Sequence, residues 1–229
     1  MHRKLITVCA ALAAFVALAL SVTSAFAVEL TEPTGTKLAN GVKLLTTNVN
    51  GNMIMADLNG NPLVECSTAQ MTGELVSNGS SVITGNITVS KFTGTGTSSD
   101  CTSSVGSVLV TTAIVGGLPY CLKTIEEKDE VELRGGKCSE ASRAIKLTFD
   151  FTNPEGKCGY EVSSLRGTLT TDTPVGSTQD AVVHLDHAGP FHRFESTGFI
   201  SLACPEQSTL DMSFTLETDE ATAKPVYIS

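Results

Sequence analysis

Ala144-Ile145-Lys146-Leu147-Thr148-Phe149-Asp150-Phe151 is the stretch that decides the fold class. Ile145, Leu147, Phe149 and Phe151 take every second position, with Lys146, Thr148 and Asp150 between them. A period of two sends these sets to opposite faces of a β-strand, one toward a core and one toward water. Leu210, Met212, Phe214 and Leu216 repeat the pattern.

Working outward, runs rich in β-branched and apolar residues fill 42–47, 53–56, 63–66, 71–76, 82–92 and 107–115. Others follow at 129–134, 160–162, 165–170, 181–187, 191–202 and 226–228, for about fourteen strands in all. Helical periodicity is nearly absent; its best candidate, 123–130, is short and polar. The expectation is an all-β fold: a disulfide-stabilised antiparallel β-sandwich, or two stacked β-subdomains divided near Gly116-Gly117 (116–118). An outer-membrane barrel would show apolar outer faces and aromatic girdles. This chain has no Trp and only three Tyr, which weighs against one.

Asn-Gly recurs at Asn40-Gly41, Asn50-Gly51, Asn59-Gly60 and Asn78-Gly79. Both residues tolerate positive φ, so each pair is expected to turn a hairpin. Asp57-Leu58-Asn59-Gly60-Asn61 looks like the start of a calcium loop, but Pro62 and Thr68 stand where that loop needs Gly and Glu. A hairpin is the better reading there.

The first residues read as an address. Arg3 and Lys4 precede an apolar run from Leu5 to Leu20, and Ala25-Phe26-Ala27 closes a small-residue exit. That is the pattern of a secretory signal peptide over 1–27, cut after Ala27, leaving 28–229 as a secreted β domain. The run is shorter than the roughly 20 residues of a membrane span, so no integral membrane insertion is expected after cleavage. The last residues carry no sorting signal, so release is expected.

Cysteine usage fits export. Cys9 leaves with the leader; Cys66, Cys101, Cys121, Cys138, Cys158 and Cys204 remain. Six cysteines in an exported chain read as three disulfides, with 15 possible pairings. Spacing alone does not choose among them. Loop-closure entropy favours the local set Cys66–Cys101, Cys121–Cys138 and Cys158–Cys204. No Cys-x-x-Cys pair points to zinc or thioredoxin-like chemistry.

Charge narrows the partners. Removing Arg3 and Lys4 leaves 13 basic against 24 acidic residues, a mature charge of −11. Such a surface repels phosphate backbones, so nucleic acid is not an expected partner.

The candidate chemistry is sparse. His184, Asp186, His187 and His192 fall within nine residues. If Ala188-Gly189-Pro190 were a hairpin loop, Asp186 would face His192, with His184 on the same face. Those three could then hold zinc or copper and activate water. The competing reading is a cross-strand ion pair on an exposed hairpin. No Gly-x-Ser-x-Gly elbow is present, and disulfides would consume the thiols. The acidic run Glu126, Glu127, Asp129, Glu130 and Glu132 reads as a solvated face. Tyr120, Tyr160 and Tyr227 are possible sugar contacts or core residues. Asn78-Gly79-Ser80 and Asn86-Ile87-Thr88 match the glycosylation pattern.

Five segments carry a family resemblance: Gly-Leu-Pro-Tyr-Cys-Leu (117–122), Arg-Gly-Gly-Lys-Cys (134–138), Gly-Thr-Leu-Thr-Thr-Asp-Thr (167–173), Leu-Asp-Met-Ser-Phe-Thr-Leu-Glu-Thr (210–218) and Pro-Val-Tyr-Ile-Ser (225–229). Together they resemble a family of uncharacterised secreted proteins from soil actinobacteria. The resemblance implies export and the six-cysteine pattern, and supplies no activity, ligand or functional residue.

The sequence therefore reads as a secreted or envelope-associated, non-enzymatic β-protein. It has no expected cofactor, and it binds or builds something outside the cell. The alternative is a metal-dependent hydrolase centred on His184, Asp186 and His192.

Overall fold

A computed structural model describes residues 29–49, 51–79, 82–93, 101–103, 109–125, 129–152, 155–171 and 181–228. Residues 1–28, which include the expected leader, Asn50, Ser80, Glu126, Glu127 and most of the Ser/Thr/Gly stretch (94–100 and 104–108) lie outside the described residues.

Sixteen strands form among the described residues, in chain order β1 (Leu30–Thr31), β2 (Lys43–Asn48), β3 (Met53–Asp57), β4 (Pro62–Cys66), β5 (Thr68–Asn78), β6 (Ile83–Thr93), β7 (Cys101–Ser103), β8 (Leu109–Gly116), β9 (Tyr120–Thr124), β10 (Glu130–Gly135), β11 (Ile145–Thr152), β12 (Gly156–Val162), β13 (Ser164–Thr171), β14 (Ala181–Gly198), β15 (Gln207–Thr218) and β16 (Tyr227–Ile228). A 3₁₀ turn over Phe199–Ala203 joins β14 to β15.

The all-β, antiparallel expectation holds, but the strands close into rings where a sandwich of open sheets was expected. One ring runs β14-β13-β10-β9-β6-β5-β2-β15 and closes through the β14–β15 pairing. The other runs β14-β12-β11-β8-β7-β4-β3-β15 and closes through the same pairing. The molecule is thus two eight-stranded barrels that share β14 and β15. β1 and β16 form a separate two-stranded ribbon.

The chain alternates between the barrels. β2 belongs to the first, β3–β4 to the second, β5–β6 to the first, β7–β8 to the second, β9–β10 to the first and β11–β12 to the second. Gly116-Gly117 is one hand-over among several, and both barrels draw strands from either side of it. Only two of the four Asn-Gly pairs join strands that pair with each other, those of the β3–β4 and β5–β6 hairpins. Asn50-Gly51 instead falls between β2 and β3, which pair with different stretches of β15.

Eight strands give an interior just wide enough for side chains to fill. The first barrel is packed by aliphatic residues such as Leu44, Met71, Leu75 and Leu165, with Phe92, Tyr120 and Phe214 among them. The second is packed by Phe149, Phe151, Tyr160, Met55 and Val64. Among the described residues, one void found in each interior measures about 30 Å³ and about 10 Å³ respectively, too small for a ligand. Tyr120 and Tyr160 are both buried, and burial pushes both phenols well above the usual tyrosine range, so neither offers a sugar platform.

The outward positions of β11 and β15 are polar. Lys146 is exposed, while Thr148 and Asp150 on β11 and Asp211, Ser213, Thr215 and Glu217 on β15 are half-buried. This is the reverse of the polarity a bilayer-spanning barrel needs.

Disulfides join Cys66 to Cys101, Cys121 to Cys138, and Cys158 to Cys204. The first bridges adjacent strands, β4 and β7, which share two register pairs among the described residues. Asn78 is buried, and its side-chain amide bonds Leu30 twice and Leu38 once, at 2.8–3.0 Å. It clamps the first strand to the barrel, so its amide is committed to the fold and not presented for glycosylation.

Candidate functional site

β14 is eighteen residues long because it serves both barrels. Ala181–His184 pairs with β13, and His192–Gly198 pairs with β12. Between them the register against β15 slips twice, between Leu185 and Ala188 and again between Ala188 and Phe191. The burial period changes from two to three: Leu185, Ala188 and Phe191 point in, while Asp186, His187, Gly189 and Pro190 point out.

The local sequence explains the slip. Pro190 has no N–H to give to a ladder. Gly189 sits at φ 155°. His187 sits at φ 49°, in the left-handed region that Asn, Asp and His enter more often than other side chains. Asp211 of β15 holds it there. The Asp211 carboxylate accepts from the His187 backbone N–H at 2.7 Å and lies 2.9 Å from His187 Nδ1. Bulges of this kind re-aim side chains and collect beside functional sites.

The hairpin assumed for the metal reading is therefore absent: 184–192 is a continuous, bulged strand, and Asp186 does not face His192. His184 is used up elsewhere, with Nδ1 2.8 Å from Ser213 Oγ and Nε2 3.0 Å from Thr170 Oγ1. His192 receives the Gln207 side-chain amide on Nδ1 at 3.3 Å. Among the described residues no group of three or more His, Cys, Asp or Glu is placed to hold a metal.

The slip does open a cleft of about 970 Å³ on the outer surface at the seam. Its walls are the β10–β11 connection with Arg143, the end of β12 with Glu161, the start of β13 with Arg166, and the bulge with Asp186, His187 and His192. His192 also borders a second cleft of about 530 Å³, walled by Asp57, Asn59, Arg193 and Glu206.

Several of these charges are already paired. Arg143 meets Glu140 at 3.2 Å, Glu161 meets Lys146 at 3.0 Å, and Arg193 meets Glu206 at 4.0 Å. Arg166 and Asp186 are different. The β13–β14 register runs Leu169↔Val183 and Thr168↔His184. Continued two residues, it would set Arg166 opposite Asp186, but the ladder stops at His184. Both side chains are exposed at the cleft and neither forms an ion pair within 4.0 Å among the described residues, although Arg166 stands opposite Glu132 of β10 in the register.

Arg143, Arg166 and Asp211 come from elements far apart in the chain, so nothing in their local sequence marks them as neighbours of the histidines. The Gly189-Pro190 dipeptide inside a strand-like run was the available signal for the bulge.

Asp57 serves its own turn. Its carboxylate accepts from the backbone N–H groups of Asn59 and Asn61 at 2.8 and 2.9 Å, and from the Asn61 side chain at 2.8 Å. The Asn61 side-chain bond, then its backbone bond, holds this carboxyl below the usual range.

No family model matches the chain, and neither the curated proteins nor the solved structures contain a similar one.

Proposed function

We propose that this is a secreted or envelope-associated, non-enzymatic binding protein whose ligand site is the outer cleft at the seam of the two barrels. The observation that carries the reading is the open pair Arg166 and Asp186. Two opposite charges on neighbouring strands stand exposed at the wall of a cleft of about 970 Å³, beyond the point where the β13–β14 ladder ends. Such a pair suits a polar ligand with both charges, of which an unblocked peptide is the simplest. Each charge would gain a charge-assisted hydrogen bond it lacks in the free protein.

The filled interiors leave the surface as the place for recognition, and closed, cross-linked barrels supply a rigid support for it. Three disulfides agree with a compartment outside the reducing cytosol, to which the leader over 1–27 would direct the chain.

The test is selection of the oxidised protein against libraries of free peptides and of neutral oligosaccharides. Zwitterionic peptides should be retained. Arg166→Ala and Asp186→Ala should each weaken retention by roughly tenfold or more, as loss of one charged hydrogen bond does. Retention indifferent to both substitutions would remove the cleft from consideration.

A further inference from the structure

Six large apolar side chains are exposed among the described residues, and the two most exposed lie three positions apart. Phe199 is 88 % exposed and Leu202 98 % exposed, both on the 3₁₀ turn between β14 and β15. Residues i and i+3 of a 3₁₀ turn eclipse, so the two side chains project from the same side.

The turn is firmly held. Ile200 is buried beneath it, and Cys158–Cys204 ties its far end to β12. Phe199 N–H donates to Glu155 O at 3.2 Å, Ser196 Oγ donates to Ser201 O at 3.1 Å, and the Arg193 guanidinium donates to Cys204 O. Gly198 enters the turn at φ 74°, where an added Cβ would lie 2.2 Å from Glu155 O. A glycine, a disulfide and an apolar anchor thus combine to hold a Phe and a Leu in water.

A third apolar tip shares this end of the second barrel. Gly156 pairs with Gly198 and Ser208 with Asp57, so the β3–β4 turn lies at the same pole as the 3₁₀ turn. Leu58, at the tip of that turn, is 56 % exposed.

We infer that this pole docks, weakly and reversibly, onto a zwitterionic lipid surface, with Phe199 and Leu202 inserted and Leu58 at their side. Area argues against a second copy of the chain. Three side chains present a few hundred Å² at most, against about 800 Å² per partner in a stable dimer. Shape points the same way, since projecting tips need a surface that yields around them. Charge selects the headgroup. Asp57 adjoins Leu58 and Glu155 shares a cleft with Phe199, while the nearby cations are met, Arg193 by Glu206 at 4.0 Å and Lys157 by Asp150 at 3.3 Å, and the mature chain carries −11. Anionic lipid would be repelled.

The chain has no tryptophan, so the substitution Phe199→Trp places a sole fluorescent reporter at the tip. The oxidised mature protein would be titrated with phosphatidylcholine vesicles. A blue-shifted indole emission from that variant, quenched by brominated acyl chains, is expected. Co-sedimentation of the native protein should fall by roughly 10–100-fold in the Phe199→Ser, Leu202→Ser double variant, at unchanged melting temperature. An unshifted emission, equal sedimentation of the double variant, or tighter binding to phosphatidylglycerol vesicles would overturn the assignment. So would self-association in vesicle-free buffer that the double variant abolishes, which would give the pole to a second copy.

Discussion

The two barrels have the same strand number and share two strands, yet they are secured differently. The first has long walls: β5 and β6 are eleven residues each and pair over most of their length. It carries one disulfide, Cys121–Cys138, beside β9 and β10. In the second, the described part of β7 is three residues long and, among the described residues, meets β4 over two register pairs and β8 over two. Two of the three disulfides lie in this barrel, and one of them spans the β4–β7 wall. Buried aromatic residues occur in both, Phe149, Phe151, Tyr160 and Phe191 on the strands of the second and Phe92, Tyr120 and Phe214 on those of the first. Two of the three covalent links thus stand in the barrel whose described hydrogen-bonded wall is shortest.

The largest test of that contrast is Phe149→Ala. The side chain is 1 % exposed in the second barrel, and its removal should cost about 3–5 kcal/mol in denaturant unfolding. Leu165→Ala in the first barrel should fall at the lower side of its class, about 2–3 kcal/mol. A reversed order would mean that Phe149 does not carry the weaker-walled barrel.

Next come the disulfides. Cys66–Cys101 closes a sequence separation of 35 and Cys121–Cys138 one of 17. Loop entropy alone makes their Ser/Ser replacements cost about 4 and about 3 kcal/mol. If the short β7 wall depends on its cross-link, the measured gap should exceed that difference. Equal losses would show the wall to be self-sufficient.

A smaller effect probes the seam. An added Cβ at Gly167 would lie 2.2 Å from His184 O, where β13 runs against β14. Gly167→Ala should destabilise by about 1–3 kcal/mol and shift the backbone resonances of both barrels, because β14 belongs to each. Shifts confined to the first barrel would mean that the barrels respond separately.

The smallest effect belongs to the β3–β4 turn of the second barrel. The folded state holds the Asp57 carboxyl below its ordinary value. Its contribution is therefore present above about pH 4 and lost as pH falls through the lowered folded value. Asp57→Ala should leave a melting profile that differs from the native one near neutrality and converges with it in acid.

Much of the local structure was legible in the sequence. The alternation at 145–151 and 210–216 became β11 and β15 with the expected faces inward. The region of 181–202 was legible in composition and misread in shape. Gly189-Pro190 suggested a loop, and the structure has a bulged strand, because β15 supplies a continuous partner across the slip. The three-ligand cluster failed for the same reason. The cleft that replaces it depends on Arg143 and Arg166, whose approach to the bulge no local pattern records.

The sequence by itself determined that the fold is built from β-strands, that apolar faces alternate with polar ones, and that six cysteines follow the apolar N-terminal run. These follow from side-chain period and residue chemistry, which act over a few neighbouring positions. Tertiary structure alone decided that the strands close into two rings, that successive hairpins enter different rings, and that β14 must change partners midway. An apolar strand face is satisfied by either ring, so its period cannot name its neighbour. Only closure of both barrels at once fixes the register, and with it the cleft at their seam.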